Sequence, residues 1–215
     1  MLIRMEAALI RDLLASFVPA TELDDALIAC VQTHLNLLLR WNLQMNLTAL
    51  RTPEEIVTRH FGESLFAASQ LFPHDASLRL FDLGSGAGFP GLAMKYWAPQ
   101  LKLTLIESHG KKATFLREVG RALQLTDFAV LNARAETVSE RADMVTMRAV
   151  EHFDQALPAA LCLLAPGGSL ALLIGEAQRE RALALLPDGN AESISLPASD
   201  QRILLRWHAT TPAAG

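Results

Sequence analysis

The residues with the clearest chemical potential form a glycine-rich segment in the first half of the chain. Asp82 follows an apolar stretch, and Gly84, Gly86, Gly88 and Gly91 come after it in quick succession. Glycines at such spacing let the backbone turn sharply between a strand and a helix and approach a ligand closely. The segment therefore predicts a ligand-binding loop.

Two classes of ligand fit this loop. The last three glycines formally match the dinucleotide pattern G-x-G-x-x-G, with Glu107 about twenty residues further on. Asp82-x-Gly84-x-Gly86-x-Gly88 instead matches the D-x-G-x-G-x-G loop of Rossmann-like methyltransferases, which use S-adenosylmethionine (SAM). A carboxylate at Asp82 repels a pyrophosphate, whereas it favours the sulfonium and ammonium of SAM. Charge therefore favours SAM, and an NAD-dependent oxidoreductase is the alternative.

Elements that can position this loop follow from the periodicity of the second part of the chain. Short apolar runs predict seven strands at 78–83, 101–106, 128–131, 144–147, 169–174, 192–196 and 202–208. Helical patterns at 90–97, 111–125, 154–164 and 176–186 lie between them, with a turn at 166–168. This alternation favours βαβ units. The predicted fold class is α/β, a Rossmann-like class I SAM-dependent methyltransferase with a seven-stranded, mostly parallel sheet.

The first 72 residues are predicted to form a helical extension of that fold. Apolar residues recur at helical spacing from Leu9 to Phe17 and again from Leu23 to Trp41. A third helix begins after Thr52 as its cap and runs to about residue 71. The predicted organisation is a helical region at 1–72 and a SAM-binding domain at 73–215.

Further candidate site residues follow the ends of predicted strands, where ligands of such sheets bind. Glu107 ends the second strand, and its carboxylate can accept two hydrogen bonds from a ribose diol. After the third strand, Ala135 and Glu136 offer a backbone amide and an acid to an adenine edge. The alternative for each charged residue is an ordinary solvated position.

Composition excludes several classes of protein. A net charge of −4 with 51% hydrophobic residues excludes a disordered chain and a uniformly basic nucleic-acid binder, but it allows a local basic patch. The longest uncharged stretch, 155–175, contains prolines and glycines that argue against a membrane span. Cys30 and Cys162 fit no metal spacing and are predicted to be buried thiols of a cytoplasmic protein, with a disulfide as the alternative.

Three parts of the chain carry a specific family resemblance: 41–50 with 59–65, 82–91, and 107–116. In these parts, and over roughly residues 35–175, the chain resembles the bacterial 16S rRNA guanine-N7 methyltransferases, RsmG or GidB. Four positions depart from the residues that are usual in that family: Glu63, where an aspartate is usual, Lys112, Met147 and Ile174. The resemblance implies methyl transfer from SAM to N7 of one guanine in a conserved loop of 16S rRNA. The implied partner is the small ribosomal subunit, rather than DNA or a membrane, and a monomer is expected.

The resemblance also implies roles for individual residues. The cofactor set comprises Asp82, Gly84, Ser85, Gly86, Gly88, Phe89, Glu107, Ala135, Glu136 and Arg148. Independently of the resemblance, local clusters of basic residues make the following residues candidate RNA contacts: Arg59, His60, Lys111, Lys112 and Arg117. The alternative is a solvated helix face balanced by Glu118. Arg148 is the candidate catalytic residue, although guanine N7 has a lone pair and no proton, so catalysis by positioning needs no general base. No metal is expected, and the rival function is SAM-dependent methylation of a small molecule or a protein.

Overall fold

The structure, a computed structural model, describes residues 5–149 and 152–209. Its strands are β1 (Arg79–Leu83), β2 (Lys102–Ile106), β3 (Phe128–Leu131), β4 (Ala142–Arg148), β5 (Leu164–Gly175), β6 (Gly189–Ser195) and β7 (Arg202–Ala209). They form one sheet in the order β3-β2-β1-β4-β5-β7-β6. Strands β1 to β5 are parallel, whereas β7 runs antiparallel to both β5 and β6. The predicted fold class is confirmed, and each predicted strand overlaps an observed one.

The helices surround this sheet and precede it. They are α1 (Ala7–Leu14), α2 (Asp25–Asn42), α3 (Pro53–Ile56), α4 (Glu63–Leu71), α5 (Gly91–Trp97), α6 (Gly110–Ala122), α7 (Phe153–Cys162) and α8 (Arg179–Leu185). The predicted third helix begins where expected, because the Thr52 hydroxyl accepts a hydrogen bond from the Glu55 amide. It is not a uniform α-helix, however, since a π-helical segment, Val57–Gly62, separates α3 from α4.

Side chains alternate between the two faces of the sheet and pack into two apolar clusters. Leu80 and Leu105 belong to the first cluster, which also holds residues of the N-terminal helices, α5 and α6. Phe81 and Ile106 point the other way, into a cluster with residues of α7 and α8. The N-terminal helices thus share a core with the sheet, and the boundary between residues 72 and 73 stays a prediction.

The predicted turn at 166–168 lies inside a strand. Ala142 pairs with Leu164, and Met144 pairs with Ser169, so the intervening residues of β5 bulge out of register with β4. Gly167 has a φ of +73°, which suits a glycine in such a bulge. Because Leu164 already pairs with β4, the strand begins before the Pro-Gly-Gly sequence and not after it.

The prediction of buried cysteines is wrong for Cys162. This thiol is exposed at the last residue of α7, while the neighbouring Leu163 is buried in the core. Cys30 is partly buried on α2, where burial raises the pKa of its thiol. Neither cysteine is in a disulfide. Within the described residues, no helix combines the length and apolar character that a bilayer crossing requires.

Candidate active site

A crevice of about 910 Å³ opens at the carboxyl ends of the parallel strands. It lies where the strand order changes direction, since β2 is on one side of β1 and β4 on the other. Ligands of open α/β sheets bind at such switch points. The predicted site residues that line it are Gly84, Ser85, Gly86, Phe89, Glu107, Ala135, Glu136, Arg148, His60 and Lys112. The structure therefore brings together most of the residues singled out from the sequence.

The glycine loop between β1 and α5 needs glycine for two different reasons. Gly84, Gly86 and Gly88 have φ angles of +69°, +54° and +93°, a region that other residues rarely adopt. A Cβ on Gly86 would meet only the Gly84 oxygen, at 3.8 Å, and would extend into open space. A Cβ on Gly88 would collide with the Leu92 side chain. Gly86 thus leaves room for a ligand, whereas Gly88 lets the loop pack on α5.

Asp82 lies behind the loop and does not line the crevice. Its side chain is fully buried, and its carboxylate accepts hydrogen bonds from the Gly91 amide (3.2 Å) and the Thr146 hydroxyl (3.1 Å). A Cβ on Gly91 would lie 2.7 Å from Asp82 Cβ, so glycine is required for this approach. Burial raises the pKa of Asp82 to about 6. This geometry supports a role for Asp82 in anchoring the loop.

Glu107 connects the end of β2 to the same loop. One carboxylate oxygen accepts from the Gly86 amide (2.9 Å), and the other accepts from the His109 amide (2.7 Å). Each oxygen has a second lone pair, so the group can still accept two further hydrogen bonds. Glu107 therefore holds the loop and has lone pairs left for a ligand, and its binding of a ribose diol stays a prediction.

A 3₁₀ turn, Ala135–Thr137, forms the wall after β3. The Asn132 side-chain amide donates to the backbone oxygens of Glu107 (2.9 Å) and Ser108 (3.0 Å), which ties this wall to the end of β2. Ala135 is buried and Glu136 is exposed, and both line the crevice. The arrangement places a backbone segment and an acid beside Glu107.

Phe89 lies between two histidine rings. The His34 ring is stacked on it at 5.0 Å and 10°, and the His60 ring at 4.8 Å and 22°. His34 Nε2 donates to the Ala87 oxygen (2.9 Å), so its Nδ1 accepts from the Tyr96 hydroxyl (3.1 Å). Burial lowers the pKa of His34 to about 4, which keeps this ring neutral. A residue of α2 thus supports the glycine loop from the N-terminal side.

His60 forms part of the crevice wall, and it is not a surface cation. Its Nε2 lies 2.8 Å from the Thr48 hydroxyl oxygen. Burial, reinforced by the charges of Arg148 and Arg59, lowers the pKa of His60 to about 2. Among the described residues, its Nδ1 is the buried side-chain polar atom without a hydrogen-bond partner. A neutral ring offers a base an aromatic surface, and contact between His60 and RNA stays a prediction.

Arg148 lines the crevice and is held from the N-terminal side. Its Nη2 donates to the Arg59 oxygen (2.6 Å) and to the Glu63 carboxylate (3.0 Å), and its Nη1 donates to the His60 oxygen (3.4 Å). Burial lowers the pKa of Arg148 to about 10, so the guanidinium stays charged at neutral pH. Glu63 also accepts from Arg202 Nε (2.9 Å).

Of the other predicted RNA contacts, one lines the crevice and three do not. Arg59, Lys111 and Arg117 are exposed and do not line it. Arg117 Nη2 donates to the Val130 oxygen at 3.3 Å, which places this side chain against β3. Lys112 lines the crevice itself, beside Glu107. Cations are thus present at the opening, although their contact with RNA stays a prediction.

Sequence reasoning missed three residues of this region. Arg134 lines the crevice and is exposed, directly before the predicted site residues Ala135 and Glu136. For Glu63 the sequence indicates only a departure from the family pattern. Arg202 begins β7, and because β7 is antiparallel, its first residue lies at the carboxyl edge of β5, opposite Gly175. An antiparallel assignment of the last strand is the signal that could have found Arg202.

Comparison with known proteins identifies the family. The family model described as rRNA small subunit methyltransferase G matches residues 28–193. The chain belongs to this family. It is 44% identical over 178 residues to a protein named ribosomal RNA small subunit methyltransferase G from Xanthomonas campestris pv. campestris (strain B100), covering 82% of each chain. The protein of the same name from Stenotrophomonas maltophilia (strain K279a) is 44% identical over 169 residues, covering 78% of this chain and 77% of that one.

Solved structures show the same fold. A predicted O-methyltransferase from Agrobacterium tumefaciens matches with a TM-score of 0.57 at 23% identity, covering 68% of this chain and 80% of that one. M. jannaschii TYW2 in complex with AdoMet matches with a TM-score of 0.54 at 17% identity, covering 69% and 74%. The predicted family and enzyme class are confirmed: this chain is a methyltransferase. In the described part of the chain, no cluster of three or more metal-ligating side chains occurs.

Proposed function

We propose that this chain transfers the methyl group of SAM to N7 of a guanine in the 16S rRNA of the small ribosomal subunit, in the cytoplasm. The observation that carries the proposal is the extent of the crevice, which runs from Glu107 past Phe89 to Thr48 and Ala49. Small-molecule pockets measure roughly 300–1,000 Å³. A volume of about 910 Å³ suits a cofactor together with one extruded base.

The residues present fit SAM. The space above Gly86 admits a ligand against the backbone, and the Glu107 carboxylate has free lone pairs for a ribose diol. Ala135 and Glu136 lie on the adjoining wall, where a nucleobase edge would meet a backbone amide. SAM supplies an electrophilic methyl group when bound. Arg148 lines the opposite side and has a charged guanidinium to offer.

Positioning is the main task that this reaction leaves to the protein. Guanine N7 carries a lone pair, so no residue has to remove a proton before the methyl group is attacked. His60 has a pKa of about 2 and is therefore unsuited to acid–base catalysis at neutral pH. Its ring lines the crevice and offers aromatic surface on which a base can stack, whereas the faces of Phe89 are covered by His34 and His60. This supports alignment of the guanine by stacking in the half of the crevice near Thr48.

Cations at the opening support an RNA substrate. Lys112 and Arg134 line the crevice, and Lys111 and Arg59 are exposed close to it in the chain. The whole protein carries a net charge of −4, so phosphate binding depends on such a local cluster.

The test is methyl transfer from labelled SAM to small ribosomal subunits taken from cells without the endogenous activity. Intact subunits and deproteinised 16S rRNA are compared, and the modified base is mapped. Label in a 7-methylguanine of 16S rRNA is the expected result. SAM binding without transfer to either RNA sample would reject the substrate and favour a small molecule or a protein. A melting temperature raised by NADH and not by SAM would reject the cofactor.

A further inference from the structure

A single buried carboxylate connects three separate parts of the fold beside the crevice. Glu63, the first residue of α4, is 1% exposed. One of its oxygens accepts from Arg148 Nη2 at 3.0 Å, and the other accepts from Arg202 Nε at 2.9 Å and Nη2 at 2.5 Å. Arg148 ends β4 and Arg202 begins β7. Glu63 thus compensates two guanidinium groups that reach it from two different strands.

The hydrogen bonds of Arg148 fix the plane of its guanidinium. An arginine has five N–H donors in a rigid planar arrangement. Nη2 uses both of its hydrogens, on the Glu63 carboxylate and the Arg59 oxygen, and Nη1 uses one on the His60 oxygen. Within residues 5–149 and 152–209, Nε and the second Nη1 hydrogen have no partner. Because Arg148 lines the crevice, these two donors are the ones left for a ligand.

The π-helical segment supplies the two carbonyl groups that complete this arrangement. Arg59 and His60 both lie in Val57–Gly62, directly before Glu63. A π-helical turn is rare and often occurs at a functional site. Here one short stretch of chain provides the carboxylate and both carbonyls, so the position of Arg148 depends on the N-terminal helices.

We propose that Glu63 is a positioning residue, which holds Arg148 so that its two remaining donors face SAM. The inference rests on the proposed function, because it requires SAM in the crevice. Glu63 is buried behind Arg148 and does not line the crevice, so it acts through the arginine and not on the ligand. Loss of the carboxylate charge leaves two neighbouring guanidinium groups without a buried counter-charge. Arg148 then lacks the ion pair that holds its orientation.

A double-mutant cycle tests this inference with SAM binding as the readout. Glu63→Gln keeps the shape of the side chain and removes its charge, and we expect the Kd for SAM to rise about tenfold by calorimetry. In an Arg148→Gln background, the same substitution is expected to change the Kd by no more than about twofold. Glu63→Asp keeps the charge on a shorter side chain, and we expect the Kd for SAM to rise about threefold. In the Arg148→Gln background, this rise is expected to be absent.

The variants separate positioning from simple stabilisation. Glu63→Asp replaces Glu63→Gln in the cycle if the amide variant does not fold. Arg79→Gln is the control, because it breaks the exposed pair with Asp143 (2.9 Å) at the amino end of β1 and is expected to leave the Kd unchanged. Two outcomes overturn the inference and leave the proposed function standing. One is a Glu63 variant with a lower melting temperature and an unchanged Kd, and the other is a Glu63 substitution that weakens SAM binding equally with and without Arg148→Gln. A wild-type protein that binds no SAM overturns the inference and the proposed function together.

Discussion

Asp82 and Glu107 lie at the same edge of the sheet, and their surroundings give them different tasks. Asp82 is fully buried, and its oxygens accept from Gly91 at the start of α5 and from Thr146 on β4. Glu107 faces the crevice and holds the loop at Gly86. A buried carboxylate is costly to ionise, whereas one with free lone pairs at a crevice can bind a ligand. Each role leads to a separate prediction.

Replacement of Asp82 by asparagine is expected to change the pH dependence of folding. Burial raises the pKa of Asp82 from 3.8 to about 6, so the folded protein holds this proton at a pH where the unfolded chain has lost it. Stability from this group is therefore present below pH 4 and is lost as the pH rises through 6. We compare the free energy of unfolding of the wild type with that of Asp82→Asn. The difference, wild type minus variant, should fall by about 2–3 kcal/mol between acid and neutral pH.

Denaturant unfolding of both proteins across this pH range measures the difference. Asp143→Asn serves as a control of opposite sign, because the hydrogen bond from Arg79 lowers the pKa of Asp143. Wild type should gain stability over that variant as the pH rises through the acid range. A difference for Asp82→Asn that is constant or that grows with pH would contradict the burial argument.

Glu107→Gln is expected to weaken SAM binding much more than it weakens folding. The amide nitrogen cannot accept from Gly86 or His109, and it cannot accept from a ribose hydroxyl. Loss of charged hydrogen bonds should raise the Kd for SAM by about 10- to 100-fold. Titration calorimetry measures the Kd, with the exposed Glu140→Gln as the control. Unchanged affinity would show that Glu107 supports the loop only.

Contacts between elements explain why the helices before β1 belong to the site. His34 of α2 contacts the glycine loop, and the π-helical segment supplies carbonyls to Arg148. That segment is itself covered by α1, because Gly62 faces the Phe17 ring just beyond the end of α1. Helix α1 thus helps to place the carbonyl groups of Arg59 and His60 that hold Arg148.

Gly62→Ala tests whether this packing is tight. A Cβ at Gly62 would lie 2.5 Å from Phe17 Cδ2, so the ring or the helix has to move. We expect a loss of about 1–3 kcal/mol in the free energy of unfolding, and a smaller loss in a Phe17→Ala background. Gly110→Ala is the matched control, since its Cβ meets only Asn132 Oδ1, at 3.5 Å. Equal losses at both glycines in denaturant unfolding would contradict the proposed clash.

Local sequence patterns predict the secondary-structure elements well. They do not predict contacts between residues that are far apart in the sequence. Apolar runs located every strand because strand periodicity is a local property. The same alternation places Asp82 on the face of Leu80, under α5, which limits its access to a ligand. The π-helical segment has no signal in helical periodicity. Glu63 and Arg202 are 139 residues apart, and only the antiparallel pairing of β7 brings them together.

The net charge of the whole molecule opposes RNA binding, so binding depends on where the cations are located. The protein has a net charge of −4. Glu118, the acid that could neutralise the lysines of α6, instead accepts from Arg40 (2.6 Å) and Trp41 (3.0 Å). Lys111 and Lys112 lie in the first turn of α6, beside the positive end of the helix dipole. Two cations at that position are unfavourable for folding, so carboxylates in their place are expected to stabilise the helix.

Lys111→Glu with Lys112→Glu is therefore expected to stabilise the protein and impair its action on RNA. Carboxylates in the first turn should raise the free energy of unfolding by about 0.5–1 kcal/mol. Binding to 16S rRNA should weaken at least about tenfold at physiological salt, and the slope of log K against log salt should become shallower by about 1–2. Lys102→Glu with Arg206→Glu makes the same change in net charge, with Lys102 at the opposite edge of the sheet. If both double variants weaken RNA binding equally, overall charge and not the α6 cluster controls the interaction.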